Sequence, residues 1–183
     1  MAEPQQEAHD ARAGPDVAAA DLVRRRLSPP SRLLIVGCGT GQLATVLTAR
    51  GYAVTGVDAD PGRLAVARAR DALTRWVLTD PDRLALPGPA FDLAVLASVV
   101  VTGRARGRLV PLLARVARHV RPGGEVLAGM PLTPTAGEDA WSAADYDRAC
   151  AGAALAYVVR YADWSGAPYH LGEPYAVSVH RVR

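Results

Sequence analysis

Leu33-Leu34-Ile35-Val36-Gly37-Cys38-Gly39-Thr40-Gly41, answered downstream by Gly56-Val57-Asp58, is the stretch on which the fold turns. An apolar run ends in Gly-x-Gly-x-Gly, a helical segment follows, and a second apolar run stops at an acid 21 positions after Gly37. Strand, glycine turn, helix, and strand ending in Asp or Glu make up the nucleotide-binding half of a doubly wound α/β fold. Glycines let a cofactor approach the backbone with no Cβ in the way. A carboxylate at the second strand end can accept hydrogen bonds from both hydroxyls of a ribose.

Working outward, Asp16 to Leu27 reads as a helix closed by Ser28-Pro29-Pro30, behind a polar tail over residues 1–15 expected to be mobile. Arg32 to Val36 is the first strand, a continuous apolar run suited to burial on both faces of a parallel sheet. Gln42 to Arg50 is a helix stopped by Gly51, and Tyr52 to Val57 the second strand. Asp60-Pro61 opens a helix running to about Ala72, with an N-cap acid and a proline at the first helical position. Arg75 to Leu78 is a third strand, Asp80 to Pro89 a loop, and Phe91 to Ala97 a fourth strand. Leu109, Leu112, Leu113, Val116 and Val120 line one face of a helix over Arg106 to Val120. Arg121-Pro122-Gly123-Gly124 then reads as a helix stop and turn before a fifth strand, Glu125 to Met130. Trp141 to Gly152 reads as a helix. Leu155 to Trp164 and Tyr175 to Arg183 are two strands too close for a parallel crossover, so they pair antiparallel. Residues 16–183 are read as a single domain.

Composition narrows the function classes. All 21 basic residues are arginine, yet the net charge is only +3. The arginines at Arg24-Arg25-Arg26 and Arg104/Arg106/Arg108 sit near helix ends and loops, where solvated faces account for them without nucleic acid. No apolar run approaches the ~20 residues of a membrane span, and the N-terminus lacks the pattern of a secretory signal, so a cytoplasmic protein is expected. Two cysteines do not make a disulfide framework or a zinc site, and no metal is expected.

The spacing of the glycines separates cofactors. A dinucleotide site places its third glycine where Gln42 stands, whereas here it comes one residue early, at Gly41. The absence of lysine also removes the Tyr-x-x-x-Lys machinery of short-chain dehydrogenases. Val36-Gly37-Cys38-Gly39-Thr40-Gly41 resembles the class I S-adenosylmethionine (SAM)-dependent methyltransferases. Three further segments support the resemblance: Asp80 after the third strand, Phe91-Asp92-Leu93-Ala94-Val95, and Val120-Arg121-Pro122-Gly123-Gly124-Glu125-Val126-Leu127. It covers residues 16–183. It implies a Rossmann-like, doubly wound sheet of seven strands, mostly parallel with an antiparallel C-terminal strand.

The resemblance also implies a site for SAM, with S-adenosylhomocysteine as product. Gly37, Gly39 and Gly41 would pass under the methionine part. Asp58 would hold the ribose hydroxyls and Ala59 pack on adenine. Asp80 would bind the adenine amino group, though aspartate is equally at home as a turn residue there. Ala97 and Ser98 would line the methionine and the mouth of the substrate pocket, near Met130 and Pro131. Members of the family usually carry an acid two residues before the first glycine, where this chain has Ile35.

Methyl transfer from a sulfonium is an in-line displacement in which the protein mainly holds nucleophile and methyl carbon in contact. A base is required only where the nucleophile must lose a proton early, and no residue here is a compulsory catalyst. Trp164, Tyr169 and His170 form an aromatic stretch with a histidine between the last two strands, a candidate for substrate binding or for ordinary loop packing. Ser98-Val99-Val100-Val101 stands where nucleic-acid amino methylases carry Asn/Asp-Pro-Pro-aromatic, and no Pro-Cys nucleophile occurs there. The expected acceptor is therefore a small molecule, not nucleic acid and not a membrane. A non-catalytic SAM-binding or partner-binding domain is the alternative, motivated by Ile35 and the lack of an evident base.

Overall fold

In the computed structural model, which describes residues 15–87, 90–96, 106–132 and 142–183, the chain builds one seven-stranded sheet. The elements run α1 (Pro15–Arg26), β1 (Arg32–Val36), α2 (Gln42–Ala49), β2 (Ala53–Asp58), α3 (Pro61–Arg70), β3 (Arg75–Leu78), β4 (Phe91–Leu96), α4 (Arg106–Ala117), β5 (Val120–Pro131), α5 (Ala143–Gly152), β6 (Leu155–Tyr161) and β7 (Tyr175–Val182). A 3-10 turn, Pro81–Arg83, follows β3.

The strand order is β3-β2-β1-β4-β5-β7-β6. β1 to β5 pair parallel with one another, and β7 runs antiparallel to both β5 and β6. The chain therefore winds outward one way from β1 through β2 and β3, and the other way through β4 and β5. At such a reversal the connections leave in opposite directions and open a crevice beyond the carboxyl ends of the strands. The glycine turn follows β1 directly and sits at that crevice.

Alternation along the strands sorts two apolar layers. Leu33, Ile35, Val54, Leu93, Val95, Leu127, Val177 and Val179 face α1 and α2, which bring Ala20, Leu22, Val23, Ala44 and Leu47. Leu34, Val36, Val57, Ala94, Leu96, Val126, Ala128 and Met130 face α4 and α5. The helical stripe Leu109, Leu112, Leu113 and Val116 is fully buried, each side chain contributing about 1.5–3 kcal/mol by leaving water. Among the described residues, no helix is long and apolar enough to cross a membrane.

Two sequence expectations are corrected here. The fourth helix ends at Ala117, and Val120 already pairs with Phe91 of β4, so β5 begins five residues before Glu125. Arg121-Pro122-Gly123-Gly124 does not end a helix; it is looped out within β5, where the register jumps from Phe91↔Val120 to Leu93↔Glu125. The bulge is built from nonlocal contacts. Arg121 Nε donates to Asp92 Oδ1 at 2.6 Å, and a Cβ on Gly124 would stand 2.7 Å from the Asp92 carbonyl oxygen. The sixth strand also stops early, at Tyr161, because Ala162 N–H turns back to the Ala167 carbonyl and Trp164 leaves the sheet. Trp141, expected to open α5, lies outside the described residues; α5 starts behind Ser142, which forms a capping box with Asp145.

Candidate functional site

The turn after β1 is shaped by three left-handed glycines: Gly37 at φ 75°, Gly39 at φ 56° and Gly41 at φ 83°. The amides of Gly37 and Cys38 both donate to the Val57 carbonyl, at 2.9 and 3.0 Å, which ties the turn to the end of β2. The Gly39 amide donates to Asp58 Oδ2 at 2.8 Å, and the Asp60 amide to Asp58 Oδ1 at 2.9 Å. Asp58 is only 7% exposed, so its carboxylate is a preorganised acceptor at the crevice. Each oxygen takes one backbone donor and keeps a further lone pair for a ligand.

The glycines serve different ends. A Cβ on Gly41 would come within 2.5 Å of the Trp76 ring and 2.9 Å of Ala67. Gly56, the register partner of Trp76, would meet the same ring at 2.6 Å. The packing of an indole beneath the turn therefore requires both glycines. Trp76 is itself pinned by its Nε1, which donates to the Asp71 carbonyl at 2.8 Å. Among the described residues, a Cβ on Gly39 would meet nothing within 4 Å. The face of the turn beside Asp58 is thus open, and no neighbouring side chain explains why it lacks one. That open cradle, with a half-satisfied carboxylate beside it, fits a ligand that carries hydroxyls and lies along the backbone.

The rest of the rim comes from the ends of β2 and β3. Ala59 is exposed, next to Asp60, whose side chain caps α3 through the amides of Gly62 and Arg63. The Thr79 amide donates to the Asp58 carbonyl at 3.0 Å, holding the β3 end against the site. Asp80 is exposed, and its carboxylate accepts from the Asp82 amide at 2.8 Å, capping the 3-10 turn. Asp80 is thus a turn acid that stands at the rim. Leu78, opposite Asp58 in register, is 53% exposed and gives that rim an apolar surface. Ala97 and Ser98 lie outside the described residues.

The aromatic stretch does not assemble as one group. Trp164 Nε1 donates to Tyr175 Oη at 3.1 Å, and both side chains crowd the backbone of Gly129 near the end of β5, on the α1 face of the sheet. Arg25 donates to the Ser165 carbonyl at 2.7 Å and clamps this loop to α1. Tyr169 instead lies 5.5 Å from the guanidinium of Arg160, which is held by Asp147 of α5 on the opposite face. His170 is exposed. Trp164 and Tyr169 are therefore separated by the sheet. Tyr175 and Trp76 are the contacts that sequence reasoning missed. Trp76 stands opposite Gly56 in register, whereas Tyr175 pairs with Pro131 and reaches two positions back along β5 over Gly129, contacts invisible before register is known. Burial pushes the Tyr175 phenol up to about 12, so it is a neutral hydrogen-bonding group and not a base near neutrality.

The thiol in the turn is not a nucleophile. Burial, and then the charge of Asp58, push Cys38 up to about 12. Among the described residues no group of three or more metal-ligating side chains comes together.

A family model described as a methyltransferase domain matches residues 33–124. The chain belongs to the class I SAM-dependent methyltransferases. The match begins in β1 and runs through the glycine turn and Asp58 to the bulge in β5. Over 122 residues, 66% of its length, this chain is 36% identical to a malonyl-[acyl-carrier protein] O-methyltransferase of Serratia marcescens, covering 47% of that protein. It is also 35% identical over 127 residues, 62% of its length, to a trans-aconitate 2-methyltransferase of Methylobacterium nodulans, covering 43% of it. The chain thus spans about half the length of these curated relatives. Among solved structures it resembles a TehB-like SAM-dependent methyltransferase from Corynebacterium glutamicum at 26% identity and a TM-score of 0.83, with 98% of this chain and 95% of the other superposed.

Proposed function

We propose that this chain binds SAM along the glycine turn and transfers its methyl group to a small-molecule acceptor. The observation that carries the reading is the open face of Gly39 beside the buried Asp58 carboxylate. Gly37, Gly39 and Gly41 underlie the methionine part, and the free lone pairs of Asp58 accept from the ribose hydroxyls. Ala59 and the exposed Leu78 flank the adenine, and Asp80 accepts from its amino group. Ala97 and Ser98 complete the methionine end. SAM supplies an electrophilic methyl on a sulfonium, so the protein's task is to hold the acceptor in line with it.

An ionised carboxylate is the acceptor that such a site suits best, because it attacks without losing a proton and needs no general base. Two relatives support this: one is named for O-methylation of a malonyl group, the other for methylation of trans-aconitate. Trp164 with Tyr175, at the β5 end, shapes the acceptor side, while Tyr169 and His170 lie beyond the sheet from them and are not part of this acceptor site.

A second reading, a SAM-binding or partner-binding domain without turnover, is favoured by one observation. Ile35, standing where the family carries an acid, is 3% exposed within the apolar layer under α1 and α2 and offers nothing to a methionine amine.

Calorimetric titration with SAM and S-adenosylhomocysteine tests the cofactor site. Wild type is expected to bind at micromolar concentration. Asp58→Asn, which keeps the shape but replaces one acceptor oxygen with a donor, is expected to weaken binding about 10–100-fold. Equal binding by the two proteins would overturn the placement. Methyl transfer to a panel of di- and tricarboxylates then separates catalysis from binding alone.

A further inference from the structure

A cleft of about 510 Å³ opens at the end of the sheet remote from the glycine turn. Its walls include Leu86, Pro87 and Phe91 on one side and Arg115, Arg118 and His119 on the other. Phe91 is the first residue of β4, whereas Leu96 at the other end pairs with Val36 at the glycine turn. Five residues of strand therefore separate the cleft from the crevice, about 16 Å at ~3.3 Å per residue.

The cleft is held in shape by His119. Its Nε2 accepts from the Leu86 amide at 3.1 Å, which leaves Nδ1 to carry the proton and donate to the Arg115 carbonyl at 2.8 Å. The His119 carbonyl accepts from the Phe91 amide at 2.7 Å. One residue thus joins the end of α4, the segment before β4, and β4 itself. The imidazole is spent on this clasp, and the cations of the cleft are the two arginines.

Neither Arg115 nor Arg118 forms an ion pair among the described residues, and no carboxylate lines the cleft. Arg32 stacks its guanidinium 5.7 Å from the centroid of the Phe91 ring. It lies outside the cleft wall, beside the Asp92 carboxylate, so the positive charge of the cleft is that of Arg115 and Arg118. A smaller cavity of about 200 Å³ shares Arg115, but Asp82 stands in its wall, so it lacks the same excess of positive charge. Guanidinium groups match carboxylate geometry as two-pronged donors. The leucine, proline and phenylalanine wall suits an apolar body, and the volume falls within the range of small-molecule sites. A bare phosphate would fill the cationic side and leave that wall wet.

We propose that this cleft is a second ligand site, separate from the SAM crevice, for a small organic anion: a carboxylate attached to an apolar chain or ring. The proposal does not depend on the cofactor reading, since none of its residues lies at the glycine turn.

Titration of the full chain with hexanoate, followed by calorimetry and by thermal unfolding, tests it. Wild type is expected to bind hexanoate saturably with a dissociation constant of about 1 mM or tighter. The double variant Arg115→Gln/Arg118→Gln is expected to lose at least about tenfold in affinity, with SAM binding unchanged. Arg118→Gln alone, at an exposed position, provides a folded reference and is expected to fall between the two. Inorganic phosphate in the same assay is expected to bind more weakly than hexanoate. The proposal is overturned if hexanoate does not saturate, if the double variant binds it as wild type does, or if phosphate binds equally well. A failure confined to SAM would bear on the cofactor site alone.

Discussion

The amide of Gly39 and the carboxylate of Asp58 meet at 2.8 Å, joining the turn after β1 to the end of β2 across 19 residues of chain. Because the Cβ position of Gly39 opens onto empty space while that of Gly41 is filled by Trp76 and Ala67, the two glycines answer differently to alanine. Gly39→Ala is expected to cost only the strain of a left-handed residue, about 1–2 kcal/mol, yet to abolish SAM binding by placing a methyl in the cradle. Gly41→Ala adds the overpacking penalty and is expected to destabilise by about 2–5 kcal/mol. Urea unfolding beside calorimetric titration separates the two. Full SAM affinity in Gly39→Ala would show that the cofactor does not lie on that face.

Ile35→Asp restores the acid that the family usually carries, but into an apolar layer. The position is 3% exposed, and an unpaired buried carboxylate is expected to lower stability by about 3–5 kcal/mol, read as a shift of the urea midpoint. Tighter SAM binding by this variant would show that the carboxylate reaches the cofactor instead.

Stability is expected to fall in two steps on acidification. Burial acts most strongly on His180 and pushes its pKa below 6.5, an effect reinforced by Arg160 and opposed by Asp147, whose Oδ1 lies 3.2 Å from Nε2. Tyr146 and Tyr157 present ring edges to the same imidazole. A histidine held neutral in the fold takes up its proton more readily when unfolded, so its contribution is complete above about pH 6.5 and declines below it. Glu125 gives the second step. Burial alone would raise its carboxyl, but hydrogen bonds from Arg26 and Arg181 outweigh this and hold it below 4.5. That stability is present above about pH 4.5 and lost as pH drops through the lowered value. Melting temperatures across pH 3–8 would show both steps. His180→Leu is expected to remove the upper one and leave the lower.

Neither cysteine should react with a thiol reagent in the folded state near neutrality. Burial is the largest cause for both, and it pushes Cys38 and Cys150 up to about 12. Ellman titration is expected to give two reactive thiols after unfolding and almost none before. Rapid labelling of the folded protein would contradict the burial of the turn thiol.

The sheet's first half was legible in the residues. Arg32–Val36 and Arg75–Leu78 begin and end where the apolar runs do, and α3 starts at the Asp60-Pro61 pair. The acid at Asp58 and the three glycines stand together at the crevice as the spacing requires. These features rest on local causes: apolar periodicity, a cap, and backbone angles that glycine adopts readily. Pro122-Gly123-Gly124 misled for the converse reason. A turn signal within one segment cannot reveal that the strand resumes on both sides of it, because Phe91 and Asp92, each 29 residues before its partner, pair with Val120 and Arg121. Trp164 and Tyr169 were likewise neighbours in the chain but are parted by the sheet once β6 and β7 pair.

By itself the sequence determined that this chain would build a parallel α/β sheet with a glycine turn and an acid at adjacent strand ends. Tertiary structure alone decided that Gly41 is glycine for Trp76 while Gly39 is glycine for open space. It also decided that His119 clasps a cationic cleft and that His180 is buried. Local backbone preferences are written residue by residue. Which side chain fills which space depends on strand register and on contacts between segments far apart in the chain, and these exist only after the sheet has closed.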